Sequence, residues 1–202
     1  MAINDDTKIG KNNSHIFPKN DAQKCTVGNG AVGDSDYITV EEYGNGVIHK
    51  TVLTCTALPI SVADEAGQGQ YGGVKVYDMP EGLILTLGAV IDGSITMPAP
   101  IIDAWDGDIG LGTAAPTDHQ TGLGNGILQT TATTQAVSKV AVVDAISAAA
   151  ALTESAGRCL DGTSTPIDVF LNLLIDDNAA HTAATGSFTG TITLTWVNLG
   201  DK

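Results

Sequence analysis

The chain is short of charge, of aromatic rings and of cations, and each shortage excludes something. Charged residues make up 16% of its 202 positions and aromatics 4%, against roughly 25% charged in an average globular chain. A single arginine, Arg158, and a net charge of −14 at pH 7 argue against a nucleic-acid partner, because neutralising phosphates takes clustered Lys and Arg. Cys25, Cys55 and Cys159 are three, so they cannot all pair, and none forms a C-x-x-C unit. Cys55 falls in an apolar strand, where a free thiol behaves as a small hydrophobe, and buried thiols in a reducing compartment are expected. No run approaches the roughly 20 apolar residues of a membrane helix. The opening MAINDDTKIGKNN lacks the apolar centre of a signal peptide. Synthesis in the cytoplasm, with no membrane partner, is the expectation.

What the sequence does have is apolar aliphatic residues, threonine and 24 glycines. The hydrophobic fraction of 43% allows a core built mainly from Val, Ile, Leu and Ala. In SFTGTITLTWVNLGDK, 187–202, Phe188, Ile192, Leu194 and Trp196 alternate with Thr189, Thr191, Thr193 and Thr195. Alternating side chains point to opposite faces of a strand, so this is a half-buried antiparallel strand with threonine outward. Further strands are read at 37–42, at 48–58 (Leu53, Cys55 and Ala57 on one face, Pro59 at its end), at 74–79, around 108–114 and at 167–177. LILTLGAVIDGSITM, 83–97, is a long strand or a pair split near Asp92–Gly93, and the Asp-Gly pairs at 92, 106 and 161 are read as turns. The Gly-rich 63–73 is read as a loop. Short strands at this spacing predict an all-β antiparallel β-sandwich, jelly-roll-like, over 46–202. Residues 136–157, with alanine at 148–151, suit one short helix or a strand. Residues 1–45 show little apolar periodicity and are read as an extended arm. Its partner-contact candidates are Lys8, Lys11, Ile16, Phe17, Lys19 and Lys24.

The motifs that carry chemistry fail their context tests. GQGQYG, 67–72, matches G-x-G-x-x-G, but a strand follows it where a dinucleotide site needs a helix. Asp103, Asp106 and Asp108 crowd together without the spacing or ligand count of a calcium loop. His15, His49, His119 and His181 have no zinc-ligand spacing, and no nucleophile elbow is present. Trp196 reads as core. Trp105, with Asp106 and Asp108, is the one ligand candidate kept, for a carbohydrate-binding sandwich. No catalytic residue, metal or cofactor is assigned, and the chain is read as a non-enzyme.

Several stretches together resemble small virion proteins of marine tailed phages. They are HKTVLTCTALPISVADEAGQGQYGGVKVYDMPEG at 49–82, DGDIGLGTAAPTD at 106–118, and STPIDVFLNLLIDDNA with SFTGTITLTWVNL between 164 and 199. The resemblance covers most of 45–200 and implies a structural component of the particle, most specifically a capsid decoration or cement protein. It carries over no catalytic residue. It implies the major capsid protein or other virion proteins as partners, while repeated particle sites favour a homo-oligomer, dimer or trimer. A tail-tube or head–tail connector component and a carbohydrate-binding module are the alternatives.

Overall fold

The computed structural model describes residues 31–34, 36–44, 48–98, 105–119, 126–129, 133–135, 139–145, 159–175 and 183–200, with only the backbone described at 31–32, 105–106 and 126–145. Within them the chain is all strand: β1 Ala31–Val32, β2 Ile38–Gly44, β3 Ile48–Glu65, β4 Gly69–Asp78, β5 Gly82–Thr96, β6 Trp105–Gly112, β7 Gly126–Gln129, β8 Thr133–Gln135, β9 Lys139–Ala145, β10 Cys159–Gly162, β11 Asp168–Ile175 and β12 Ala184–Asn198. No helix occurs among the described residues, and the all-β expectation holds. All the pairings are antiparallel, and one path runs β10-β5-β12-β3-β4-β11-β6-β7, with β9, β2, β1 and β8 set beside β5, β3, β4 and β6. The described strands thus form one continuous sheet curled into a half-barrel, where the sequence suggested the two layers of a jelly roll.

The C-terminal strand carries this architecture. β12 lies between β3 and β5 and pairs with both along nearly its whole length. Phe188, Ile192, Leu194 and Trp196 are buried on its inner face, as the alternation requires, and the threonines stand outward. The inner row meets Leu53, Leu58 and Ile60 of β3, Ile84, Ile91 and Ile95 of β5, and Leu171 and Leu173 of β11 in one core. Gly190 faces Gly93 across the β12–β5 ladder. A β-carbon at Gly93 would come within 2.6 Å of the Thr189 carbonyl and 2.8 Å of the Phe188 ring. Of the two readings of 83–97, the single long strand holds, and Asp92–Gly93 is a close approach inside it rather than a turn.

Other local readings also change. Asp106–Gly107 lies inside β6, and only Asp161–Gly162 meets a turn, where the Asp161 carboxylate accepts from the Thr163 amide (3.2 Å) and hydroxyl (2.6 Å). The Gly-rich 63–73 is a hairpin, with β3 running to Glu65 and β4 starting at Gly69. Its turn closes with the Gln68 amide donating to the Glu65 carbonyl at 2.9 Å, and Gly67 and Gly69 take φ of 80° and 137°, open to glycine. Pro59 sits within β3 because β2 pairs only up to Cys55 and β4 only from Val62, so no second ladder needs its missing N–H. Between them β3 bulges at Ala57, which takes φ 51° and gives its amide to the Thr189 hydroxyl at 3.1 Å. That extra residue turns Ala57 outward, off the face of Leu53 and Cys55 that simple alternation gave it.

β1 and β2 fall inside 31–44, so this part of the segment read as an arm belongs to the sheet: Ile38 and Glu42 are buried on the inner face of β2. Lys139–Ala145 pairs with β5, which makes that part of 136–157 a strand. The alanine run 148–151 lies outside the described residues.

Candidate functional site

The most organised polar cluster is inside the curl. Glu42 stands opposite Thr51 in the β2–β3 ladder, and both point inward in phase with Ile38 and Leu53. The Thr51 hydroxyl reaches the Glu42 carboxylate oxygens at 2.9 and 3.0 Å and itself accepts from the Trp196 indole N–H at 2.9 Å. From β4, the Tyr77 hydroxyl donates to Glu42 Oε1. The ladder pairs Trp196 with His49, and their rings stack at 3.9 Å between centroids and 5° between planes. A chain of donors thus runs indole to hydroxyl to carboxylate, with a phenol closing the other side. It joins β2, β3 and β12 to β4. Burial pushes the Glu42 carboxyl above its usual range, and the Tyr77 and Thr51 hydroxyls pull it partly back.

This cluster has acceptor, donor and titratable groups, but Glu42, Thr51, Tyr77 and Trp196 are spent on one another and all of it is sealed in the core. Glu42 is 6% exposed, and His49, Thr51, Tyr77 and Trp196 are 0%. A substrate would have to open the sheet to reach it. The arrangement can fix the register and curvature of the sheet, because a buried polar group must find its partner in one geometry.

A second cluster lies at the surface where β4 meets β11. Lys75 Nζ bridges Asp78 at 2.6 Å and Asp168 at 3.0 Å, and the two aspartates face each other in the ladder. Burial, and then the neighbouring Asp168, raise the Asp78 carboxyl. Its hydrogen bond holds Asp168 below the usual range. The lysine offsets the charge of two carboxylates that the ladder holds opposite each other.

The outer face of the sheet is different in kind. Along β12, β3 and β5 it presents threonines and serines that link across strands, as in the 3.1 Å contact between Ser61 and Thr185 hydroxyls. At the Gly82 end that polar face gives way to leucines.

The sequence-derived candidates are scattered. Lys8, Lys11, Ile16, Phe17, Lys19 and Lys24 lie outside the described residues, as do His15 and His181. Trp105 and Asp106 stand in β6 opposite Gln135 and Thr134, and Asp108 stands opposite Leu174. The acidic stretch is thus regular strand from Trp105 onward rather than a turn that wraps an ion. Among the described residues no three His, Cys, Asp or Glu side chains gather to hold a metal, and no helix there is long and apolar enough to cross a membrane. His119 sits in the loop after β6, its amide donating to Glu65 at 2.6 Å. Cys55 is buried, its thiol pushed up to about 12 by burial, which leaves it inert, whereas Cys159 is exposed, contrary to expectation. Sequence reasoning missed the Glu42 cluster. The signal was parity: Glu42 shares phase with Ile38 and Val40, and Thr51 and His49 with Leu53 and Cys55.

No protein-family model, curated protein or solved structure matches the chain.

Proposed function

We propose that the protein is a structural component of a tailed-phage particle, a capsid decoration or cement protein that binds the outer shell and bridges capsid subunits. One observation supports this most directly: the best-formed polar constellation, around Glu42, is consumed inside the core, while the outer face of the sheet is a broad surface of threonine, serine and leucine. Such a body offers contact area. Small polar side chains lose little entropy on docking, and many shallow contacts can add up on a repeated lattice. The resemblance of 49–82, 106–118 and 164–199 to small virion proteins supplies the specific role. Bridging would fall to the N-terminal segment, whose ordering must be offset by contact on the partner. Quantitative mass spectrometry of purified particles tests the reading. A fixed stoichiometry per capsid subunit is expected, and absence from particles while the protein is abundant in the lysate overturns it.

A further inference from the structure

We propose that an apolar row on the outside of the sheet is the docking site for the chain's own N-terminal segment, seated through Ile16 and Phe17. This deepens the contact reading above and rests on it only for what the segment does on the particle.

The row begins where β5 begins. Ile84 is fully buried, so its neighbours Leu83 and Leu85 point outward. Leu87 continues the same alternation, and the β12–β5 register shifts only beyond it, Thr195 pairing with Gly88 and Trp196 with Thr86. Leu87 is 50% exposed and Thr86 is buried, so at this point the outside of the strand is more apolar than the inside. Val197 stands opposite Leu85, and Leu199, 56% exposed, is tied to Leu83 by a 2.8 Å backbone hydrogen bond. A contiguous outward patch of leucine and valine on an acidic protein marks a surface that something covers.

Charge selects the occupant. The patch is rimmed by Glu81, exposed in the turn before β5, and by Asp161, exposed and opposite Leu83. Residues 1–30 carry Lys8, Lys11, Lys19 and Lys24 against Asp5, Asp6 and Asp21, or 4 − 3 = +1, so the other residues hold −14 − 1 = −15. Ile16 and Phe17 lie between Lys11 and Lys19, an apolar pair flanked by cations that matches leucines flanked by acids. The acidic bulk of a second copy lacks that match, and residues 146–158 bring only Arg158, offset by Glu154. Reach suffices as well. Ala31 is fixed opposite Asp78, nine residues before Leu87, and the 14 residues from Phe17 to Ala31 span up to about 45 Å, against at most about 30 Å from Asp78 to Leu87.

Cys159 provides the reporter, since it is exposed and paired directly with Leu85. In the full chain carrying Cys25→Ser, alkylation of Cys159 by a maleimide is expected to run about tenfold slower than in the same chain with Ile16→Asp and Phe17→Asp, as a mostly docked segment requires. Leu87→Lys, a surface change that leaves the segment intact, is expected to raise the rate similarly. Equal rates in the parent and the Ile16/Phe17 variant overturn the proposal: fast in both means an open patch, slow in both means another segment covers it. Protection that vanishes on dilution also overturns it, because a second copy is then the cover. These measurements use isolated protein, so their failure is separate from absence of the protein from particles.

Discussion

Tyr77→Phe tests whether the Glu42 cluster holds the curl together. The change removes one hydroxyl and keeps the ring, so packing around a fully buried residue is preserved. What is lost is a hydrogen bond to a carboxylate, worth about 1.5–3 kcal/mol when the acceptor is charged and about half that when it is neutral. The loss should therefore depend on pH. Burial places the folded Glu42 carboxyl above 4.5, so over a window above that value the native state holds a proton that the unfolded state has released. Stability contributed by Glu42 then falls as pH rises from about 4.5 through the folded value, by at most about 1.4 kcal/mol per pH unit. Without the Tyr77 hydroxyl the folded value climbs further, and the window of falling stability widens upward. Urea unfolding followed by tryptophan fluorescence, repeated from pH 4.5 to 8, should show Tyr77→Phe costing about 0.5–1.5 kcal/mol at the acid end and about 1.5–3 kcal/mol at pH 8. In a Glu42→Gln background, which keeps an acceptor but cannot ionise, the cost should shrink to about 0.5–1.5 kcal/mol and lose its pH dependence. A cost below about 0.5 kcal/mol at pH 8, or one that is equal in both backgrounds, would refute the reasoning.

Ala57→Gly should raise stability by up to about 1 kcal/mol, since φ 51° strains an alanine but not a glycine; the thermal midpoint checks this, and Ala57→Val should move it the other way. Gly190→Ala should cost about 3 kcal/mol or more, because a β-carbon there runs into the Asp92 carbonyl and the Gly93 Cα, and loss of the cooperative melt would display it. Trp196→Phe should cost about 2–3 kcal/mol in urea unfolding, combining lost buried area with the unmade bond to Thr51. Lys75→Met should change stability by less than about 1 kcal/mol, as expected of a partly exposed ion pair, while carboxyl chemical shifts should show the Asp168 titration moving up without its cation.

The readable parts of the fold were those in which one face is apolar and the other polar. β12 shows this best, with Phe188, Ile192, Leu194 and Trp196 buried and threonine between them. The hairpin at 65–69 was obscured because glycines that serve the turn and the close ladder contacts of Gly72 and Gly73 look the same as glycines of a loop. Asp92–Gly93 was obscured for a related reason: its glycine answers Phe188, a residue nearly a hundred positions away, and no local pattern carries that. Ala57 broke the alternation through a single left-handed residue, which shifts every later side chain of β3 by one place. Glu42, Thr51 and His49 are polar residues on an inward face, so composition alone sends them outward. Their partners Tyr77 and Trp196 arrive from β4 and β12, and only the assembled sheet brings them together.

The placement of β12 also governs when the molecule can form. β3 and β5 are synthesised well before it, yet neither pairs with the other, because each finds its long neighbour only in residues 184–198. Two aliphatic strands must wait with unpaired edges until residues 184–198 have left the ribosome, and then zip onto the same late arrival. Contacts of such wide sequence separation form slowly, and open edges invite association with other chains in the meantime. The yield of folded protein should therefore depend on how those edges are shielded during synthesis as well as on how stable the finished sheet is.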